Sequence, residues 1–470
     1  MQSGQERDGN EPNDGSRKFR AHLRFDPAIW LALAFGGIYF FLGWARYERG
    51  LFYCFNAYFN TDTVRVIVDA TSLEASNART VTHPLFPLLV APVGYVLSLL
   101  FERGAAVLLL VAVTAAFTLY FLVRALRTFV EPRESLALAF FYACTSSSLI
   151  MFSTTETFVW SALGIALLTF GVRAKKGRVW RGGASVLLLG VLTTNILHIV
   201  SAHFLDPAPS PLRKRALLGA RWAGFAVIAV SLGAILQHYV IAGAPLFFAP
   251  NHLAAERRYV PTLTLSTRLL REVDLLAHFF QFSLVAPEPI FIRRNDSQVD
   301  WVTFLSIYDG VFARYPLAAW PALLLTSALL IWASYVNLRY GRRSVEVLTV
   351  LATLLLHLGL FSAYGDDFML YSPLWMVHWM FWIALALRTS RQRRLRRPGA
   401  LPIGLLGCML FVSNVDVLSD VASHYDGAIP CRGSNRRCIE RFYKPKAMHN
   451  KALGPRYRRV QDRPTKADRR

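Results

Sequence analysis

Residues Ala105 to Val123 read AAVLLLVAVTAAFTLYFLV, nineteen consecutive positions without a charge. An α-helix rises about 1.5 Å per residue, so roughly 20 apolar residues cross the ~30 Å hydrocarbon core of a bilayer. Lipid offers no partner for backbone N–H and C=O groups, so a run of this kind must satisfy them internally as a helix. Runs of the same character recur near 27–46, 135–153, 158–172, 216–240, 316–338, 345–363, 366–387 and 401–420. Two further apolar runs, 84–101 and 183–204, fit the pattern less directly. The composition agrees: of 470 residues, 54% are hydrophobic and only 17% charged, against about 25% charged in soluble domains. The expected fold class is all-α, a polytopic transmembrane helical bundle of about 9–11 spans with an outer-face region of loop helices.

Lys and Arg collect at Arg17–Arg24, Arg124–Arg133, Arg173–Arg181, Arg213–Arg215, Arg339–Arg343 and Arg388–Arg397. Cytoplasmic loops are enriched in these residues, which assigns all six clusters to the inner side. The net charge of +22 is then mostly this bias plus a basic tail, and no nucleic-acid partner is inferred from it. The outer side receives residues 51–104, the short turn 154–157, the segment 242–315, the turn 364–367 and the tail. Parity then requires 84–101 to return to the outer side as an interfacial or re-entrant helix, and 183–211 to cross or dip twice. Three regions follow: a polar cytoplasmic leader over 1–26, a multi-span domain over 27–420, and a basic C-terminal tail over 421–470. Cys431 and Cys438 in that tail face an oxidising compartment in this topology, so a small-loop disulfide between them is one reading.

The first outer loop carries most of the chemistry. Tyr58 to Pro87 reads YFNTDTVRVIVDATSLEASNARTVTHPLFP and holds Asp62, Asp69 and a His83-Pro84 turn. The two acids share a face if TDTVRVIVDATSLEAS forms a short amphipathic helix lying on the membrane. The bland alternative is a solvated loop whose acids pair with Arg65 and Arg79. Pro84 suits a first helical turn, where its missing N–H costs nothing, and His83 there is a packing or capping residue unless a ligand meets it. Glu156, in TTETF, lies in a link of a few residues between two apolar helices, where an ionisable group is costly unless paired, solvated or functional. Its alternative role is helix capping with Thr155 or Thr157. A third outer turn, YGDDFMLYS, carries Asp366, Asp367 and Tyr371; capping accounts for one of its two acids.

Together these motifs resemble the GT-C superfamily of membrane glycosyltransferases, which take sugars from polyprenyl-phosphate donors. The shared pattern is a first span, an acidic outer loop ending in HPLFPLL, the acid Glu156 in a later outer turn, a basic inner loop, and a small, polar helix end written GVLTTN. The late YGDDFMLYSPLW is similar to an acid-then-LYS segment of bacterial members. The likeness runs from Ala28 to Asn195 in order, plus the late turn. It implies inverting sugar transfer at the outer face of a bacterial inner membrane, with a cytoplasmic N-terminus, a glycan, lipid or protein acceptor, and Asp62 as base beside Asp69 or Glu156. The family writes an adjacent acidic pair or an acid next to His or Tyr in the first loop. Here Asp62 is flanked by Thr61 and Thr63, so the identity of the base stays open. No cofactor is called for; a divalent metal bridging the acids is compatible with the pattern without being required.

The segment 242–315 would supply the donor side. Arg257-Arg258 and Arg293-Arg294 suit a lipid phosphate, since guanidinium groups bind phosphate through a planar fork. LSTRLLREVDLLAHFFQF between them repeats apolar residues at helical spacing, so it can lie on or between spans; its bland reading is an interfacial packing helix with a solvated polar face. Other classes remain: a transporter or flippase for a lipid-linked substrate, a polymerase or ligase of lipid-linked glycans, and a non-enzymatic scaffold binding membrane lipid. A transporter would place charge at the midplane, where only Asn195, His198, His203 and His357 are candidates. The acids gather at the outer edge instead, which favours transfer.

Overall fold

The computed structural model describes residues 26–53, 58–72, 79–208, 210–241, 244–246, 260, 263–292, 300–305, 314–365 and 367–426. The fold is an all-α polytopic bundle. Its helices are α1 (Pro27–Glu48), α2 (Thr63–Thr71), α3 (Phe86–Leu100), α4 (Arg103–Leu126), α5 (Pro132–Ala143), α6 (Ser146–Met151), α7 (Phe158–Arg173) and α8 (Arg178–Val191). They continue with α9 (Ile196–Phe204), α10 (Leu212–Val240), α11 (Leu265–Ala277), α12 (Trp320–Tyr340), α13 (Val345–Ala363), α14 (Phe368–Gln392) and α15 (Ala400–His424). One antiparallel hairpin pairs β1 (Ile290–Ile292) with β2 (Trp301–Thr303). Among the described residues seven helices, α1, α4, α10, α12, α13, α14 and α15, are long and apolar enough to cross a membrane. The chain is thus an integral multi-pass membrane protein.

The start of α1 has a local cause. The Asp26 carboxylate accepts the Ala28 N–H at 3.0 Å, and Pro27 occupies the first turn, the position where Pro is tolerated best. Asp26 also accepts from Arg127 at 2.7 and 3.0 Å, tying the start of α1 to the end of α4. This Arg127 hydrogen bond holds the Asp26 carboxyl below the ordinary carboxylate range despite partial burial. Small residues let α1 and α4 approach: a Cβ on Gly36 would lie 3.1 Å from the Ala116 side chain and 3.4 Å from the Ala112 carbonyl, and one on Gly43 would lie 2.4 Å from the Leu108 side chain. Close backbone contact of this kind is the main source of packing energy between helices in lipid.

The two ends of the bundle differ in charge. At the basic end Glu346 bridges Arg173 and Arg388, while Glu134 bridges Arg391 and Arg397. Arg173 also donates to the carbonyls of Thr128 and Leu205. The opposite end carries Asp62, Asp69, Glu156 and Asp367.

The structure departs from the sequence reading in three places. The run 135–153 is not one helix but α5 and α6, broken at Cys144 and Thr145. The Asn414 side chain of α15 repairs the break: its Nδ2 donates to the carbonyls of Cys144 and Leu284, both at 2.9 Å, and its Oδ1 accepts the Ala286 N–H at 2.7 Å. The run 183–204 is a helical hairpin, α8 and α9, turned over a single 3-10 turn at Thr193–Asn195; this is how 183–211 reverses direction in so few residues. The amphipathic helix of the first loop ends at Thr71, and it lies inside the protein rather than on the membrane, with Val66 and Ile67 buried.

Asn414→Leu is expected to lower stability by roughly 2 kcal/mol or more, because it strands the buried Cys144 carbonyl and Ala286 N–H at about 1–3 kcal/mol each, while the Leu284 carbonyl keeps the Ser146 N–H at 3.1 Å. The outward-facing Leu405→Ala should change little. Thermal unfolding in detergent measures both, and an unshifted Asn414→Leu midpoint would mean that other groups satisfy the break.

Candidate active site

Two of the motifs meet as backbone. Leu85 N–H donates to the Gly190 carbonyl at 2.7 Å, and Thr193 N–H to the Thr82 carbonyl at 3.0 Å. His83 Nδ1 donates to the Val191 carbonyl at 2.7 Å. The THPL turn is therefore laced to GVLTTN, and Gln237 of α10 completes the seam by donating to the Pro84 carbonyl and accepting the Leu88 N–H, each at 3.0 Å. Burial first, then the neighbouring Arg65 and Arg79 charges, hold the His83 imidazole well below its ordinary pKa. It is a neutral, anchored ring packed on Phe86 and Phe158.

The acids form one cluster around Arg65. Its Nε lies 3.0 Å from Asp62 Oδ2 and its Nη1 3.3 Å from Asp69 Oδ2, the i−3 and i+4 positions that face one another on a helix. Glu156 reaches the same place from the α6–α7 turn. Its Oε2 accepts the Asp62 N–H at 2.9 Å, and its Oε1 accepts both the N–H and the hydroxyl of Thr157 at 2.6 and 2.9 Å. Glu156 thus caps its own helix start and holds the backbone of Asp62 in one stroke. Arg79 closes the cluster, with Nη1 3.7 Å from Asp62 and Nη2 3.4 Å from the Tyr364 hydroxyl.

Access separates the three acids. Glu156 and Asp69 are buried, whereas the Asp62 side chain keeps 20% of its surface and its Oδ1 makes no hydrogen bond among the described residues. Burial raises the Asp69 carboxyl to about 6, against the opposing pull of Arg65. Burial and then the negative charge of Asp62 likewise raise Glu156. Arg65 is itself opposed by burial, but Asp62, Asp69 and Glu156 outweigh it and keep the guanidinium charged.

Beneath the cluster Arg46 of α1 is buried, donating to the Ser153 carbonyl at 2.9 Å, to the Ser153 hydroxyl and to the Tyr58 hydroxyl. It fixes the segment leading to Glu156 against the segment leading to Asp62. Arg271 of α11 does the same for the late turn, donating to the carbonyls of Phe361, Ser362, Tyr364 and Gly365 at 2.6–3.3 Å. Gly365 sits at φ +98°, a conformation that favours glycine, and a Cβ there would meet the Tyr371 ring at 2.6 Å. Sequence reading missed Arg46, Arg271, Gln237 and Tyr364, and named Arg65 and Arg79 only as partners of the acids in the solvated-loop alternative. Only Arg65 left a local signal, its spacing from the two aspartates.

Asp367 accepts the Met369 N–H at 3.0 Å and the Thr303 hydroxyl at 2.9 Å, so it caps α14 and pins it to β2. Tyr371 is buried, stacked on Phe361 at 4.4 Å and edge-on to Phe158. Arg257, Arg258, Arg293, Arg294, Asp366, Cys431 and Cys438 lie outside the described residues. Among those described, no three His, Cys, Asp or Glu side chains converge to hold a metal ion. Deeper in the bundle His198 and His357 face each other at 3.2 Å between their Nε2 atoms, with His378 stacked on His198. His357 and His378 each turn Nδ1 to the carbonyl four residues back.

No family model matches the chain, and no curated protein matches it. Among solved structures, the oligosaccharyltransferase of Archaeoglobus fulgidus tethered to an acceptor peptide aligns at TM-score 0.41 and 12% identity, covering 84% of this chain and 55% of that one. Its apo form aligns at 0.42 and 10% identity, covering 84% and 56%. Archaeoglobus fulgidus AglB in complex with an inhibitory peptide and a dolichol-phosphate aligns at 0.40 and 12%, again over 84% and 56%. The match spans a little over half the length of those chains, and at these scores the likeness carries no functional weight.

The raised Asp69 pKa predicts a pH signature. The folded state binds this proton more tightly than the unfolded chain, so the group's contribution to stability is greatest below about pH 4 and falls by about 1.4 kcal/mol per unit as pH rises towards 6. Asp69→Asn should flatten that slope in melting curves taken from pH 4 to 7. Parallel slopes in variant and wild type would show that Asp69 ionises normally.

Proposed function

We propose that this protein is an integral-membrane glycosyltransferase that moves a sugar from a polyprenyl-phosphate donor to an acceptor hydroxyl at the outer membrane face, with inversion. The observation that carries the reading is Asp62: a solvent-accessible carboxylate held from behind by Glu156 through its own N–H, steadied by Arg65, and placed beside Arg79. Asp62 and Glu156 lie 94 positions apart in sequence and meet in this one cluster, whereas Asp367 is held at β2 and the start of α14.

Inverting transfer needs a base for the acceptor and a cation for the leaving group. As the acceptor oxygen attacks C1 of the sugar, Asp62 Oδ1 takes its proton. The new C1–O bond forms while the C1–O bond to phosphate breaks, and the electron pair leaves on the lipid phosphate. Charge builds on phosphate oxygens, which a guanidinium stabilises by charge-assisted hydrogen bonds. Arg79, which keeps 17% of its side-chain surface, is the described cation in reach of that role. Arg257, Arg258, Arg293 and Arg294 are proposed to extend the phosphate site. Glu156 and Asp69 act as positioning residues, one on the Asp62 backbone and the other on Arg65. The reading extends to a polymerase or ligase of lipid-linked glycans, which would use the same donor. A transporter is less well supported, since the three acids gather at one end of the bundle and His198, His357 and His378 pack against one another, with His357 and His378 also tied to backbone carbonyls.

The test is sugar transfer by purified protein in vesicles, across a panel of polyprenyl-phosphate sugars and mixed acceptors, with and without divalent metal. Asp62→Asn should cost 10²-fold or more in turnover, in the range for loss of a general base, with folding and donor binding retained. Unchanged turnover would remove Asp62 from the chemistry. Arg79→Gln should lower kcat at least as much as it raises the KM for the donor, since the charge it meets builds in the transition state, and equal effects with a donor analogue lacking phosphate would make Arg79 a structural residue only.

A further inference from the structure

Helix α11 has its polarity reversed for a helix facing water. Arg271, Asp274 and His278 point inward and are buried, whereas Leu265, Leu269, Val273, Leu276 and Phe280 are 41–76% exposed. Those five recur at spacings of four, four, three and four residues, so they form one outward stripe along α11 and the π turn, His278–Phe282, that extends it. An amphipathic helix on a water-exposed surface buries such a stripe and exposes its charges.

We propose that α11 is an interfacial helix whose stripe lies among the acyl chains of the surrounding bilayer, so that the partner of this surface is membrane lipid. Three observations converge on that occupant. The inward charges are used within the protein: Arg271 closes the end of α13 through four carbonyls, and His278 Nδ1 donates to the Asp274 carbonyl at 2.7 Å. The helix is therefore fixed at the level where a span ends, which is where a bilayer gives way to headgroups. The span it closes, α13, presents Leu348, Leu355 and Leu356 outward, each more than half exposed, so lipid-facing surface already exists on the helix that α11 packs against. Finally, Arg268 is exposed on one flank of the stripe, the position from which charged side chains reach headgroups while the apolar face is immersed; Glu272 beside it accepts from the Ser362 hydroxyl at 2.9 Å.

The consequence reaches the acid cluster. Arg271 holds Tyr364 and Gly365 by their carbonyls, and the Tyr364 hydroxyl meets Arg79, which meets Asp62. A helix seated in lipid is thereby linked to the cluster through three side chains. The proposal concerns the surface and stands whether or not the chain transfers sugars.

The experiment uses the full-length wild-type protein in phosphatidylcholine vesicles containing a lipid with a photoactivatable diazirine on its acyl chain, with labelled positions mapped by mass spectrometry. In parallel, hydroxyl radicals generated in the water phase mark exposed side chains. The expected result is acyl-chain labelling at Leu269, Val273 and Leu276 comparable to that at Leu355 and Leu356, with little radical modification there. Radical modification of the stripe without lipid labelling would overturn the proposal, as would cross-links from the stripe to a second copy in place of lipid. Val273→Glu combined with Leu276→Glu should abolish lipid labelling of 265–280 while leaving that of α13 intact; retained labelling of the doubly charged stripe would also sink the idea.

Discussion

A backbone that stops being helical inside an apolar bundle has no water to turn to, and every break must be satisfied by the protein itself. Several of the buried polar side chains in this structure serve that constraint. Asn414 takes three backbone groups at the α5–α6 break. Gln237 and His83 close the turn that starts α3. Arg271 gathers four carbonyls at the end of α13, and Arg215 gathers those of Phe204, Asp206, Ala208 and Ser210 after α9. Several of the buried arginines thus work as multi-pronged donors to carbonyls, a use for which the fixed fork of a guanidinium is better suited than an ammonium.

The acid cluster grows from the same constraint. Glu156 sits where the α6–α7 turn leaves N–H groups unpaired, and one carboxylate oxygen serves its own turn while the other serves Asp62. Because Arg46 ties Ser153 to Tyr58 just below, the two segments that supply Glu156 and Asp62 cannot drift apart independently. Rigidity needed to hold the fold becomes rigidity of the cluster. The division among the three acids follows from exposure: two are buried, and the third has a free edge towards solvent.

The spans were legible because charge-free runs of sufficient length admit few alternatives in lipid; 345–363 was read to the residue. The break at Cys144 was not, since TSSS continues an apolar run and its repair comes from Asn414, 270 positions away. The hairpin α8–α9 was marked as anomalous by topology, and GVLTTN reads as a polar helix end, yet nothing in that stretch says that the chain reverses at 193–195. Within the cluster, Asp62, Asp69 and Glu156 were legible as acids at one edge. Their convergence depends on Arg65 and on a backbone N–H, and a backbone donor has no sequence signature. Arg271 was hidden because its helix was read for its apolar face, which turned out to be the exposed one.

The shortness of α7 bears on where a lipid-anchored substrate would be met. At the basic end Arg173 and Arg388 share Glu346, so α7 and α14 start level. From there α7 climbs its 16 residues, about 24 Å, while α14 climbs from Arg388 to Phe368, about 30 Å. The turn that carries Glu156 thus lies roughly one helical turn nearer the basic end than the start of α14. A phosphate tethered to a long hydrocarbon tail that is met at this lower level would draw less of its tail out of lipid, and each methylene left in place avoids a cost of about 0.8 kcal/mol.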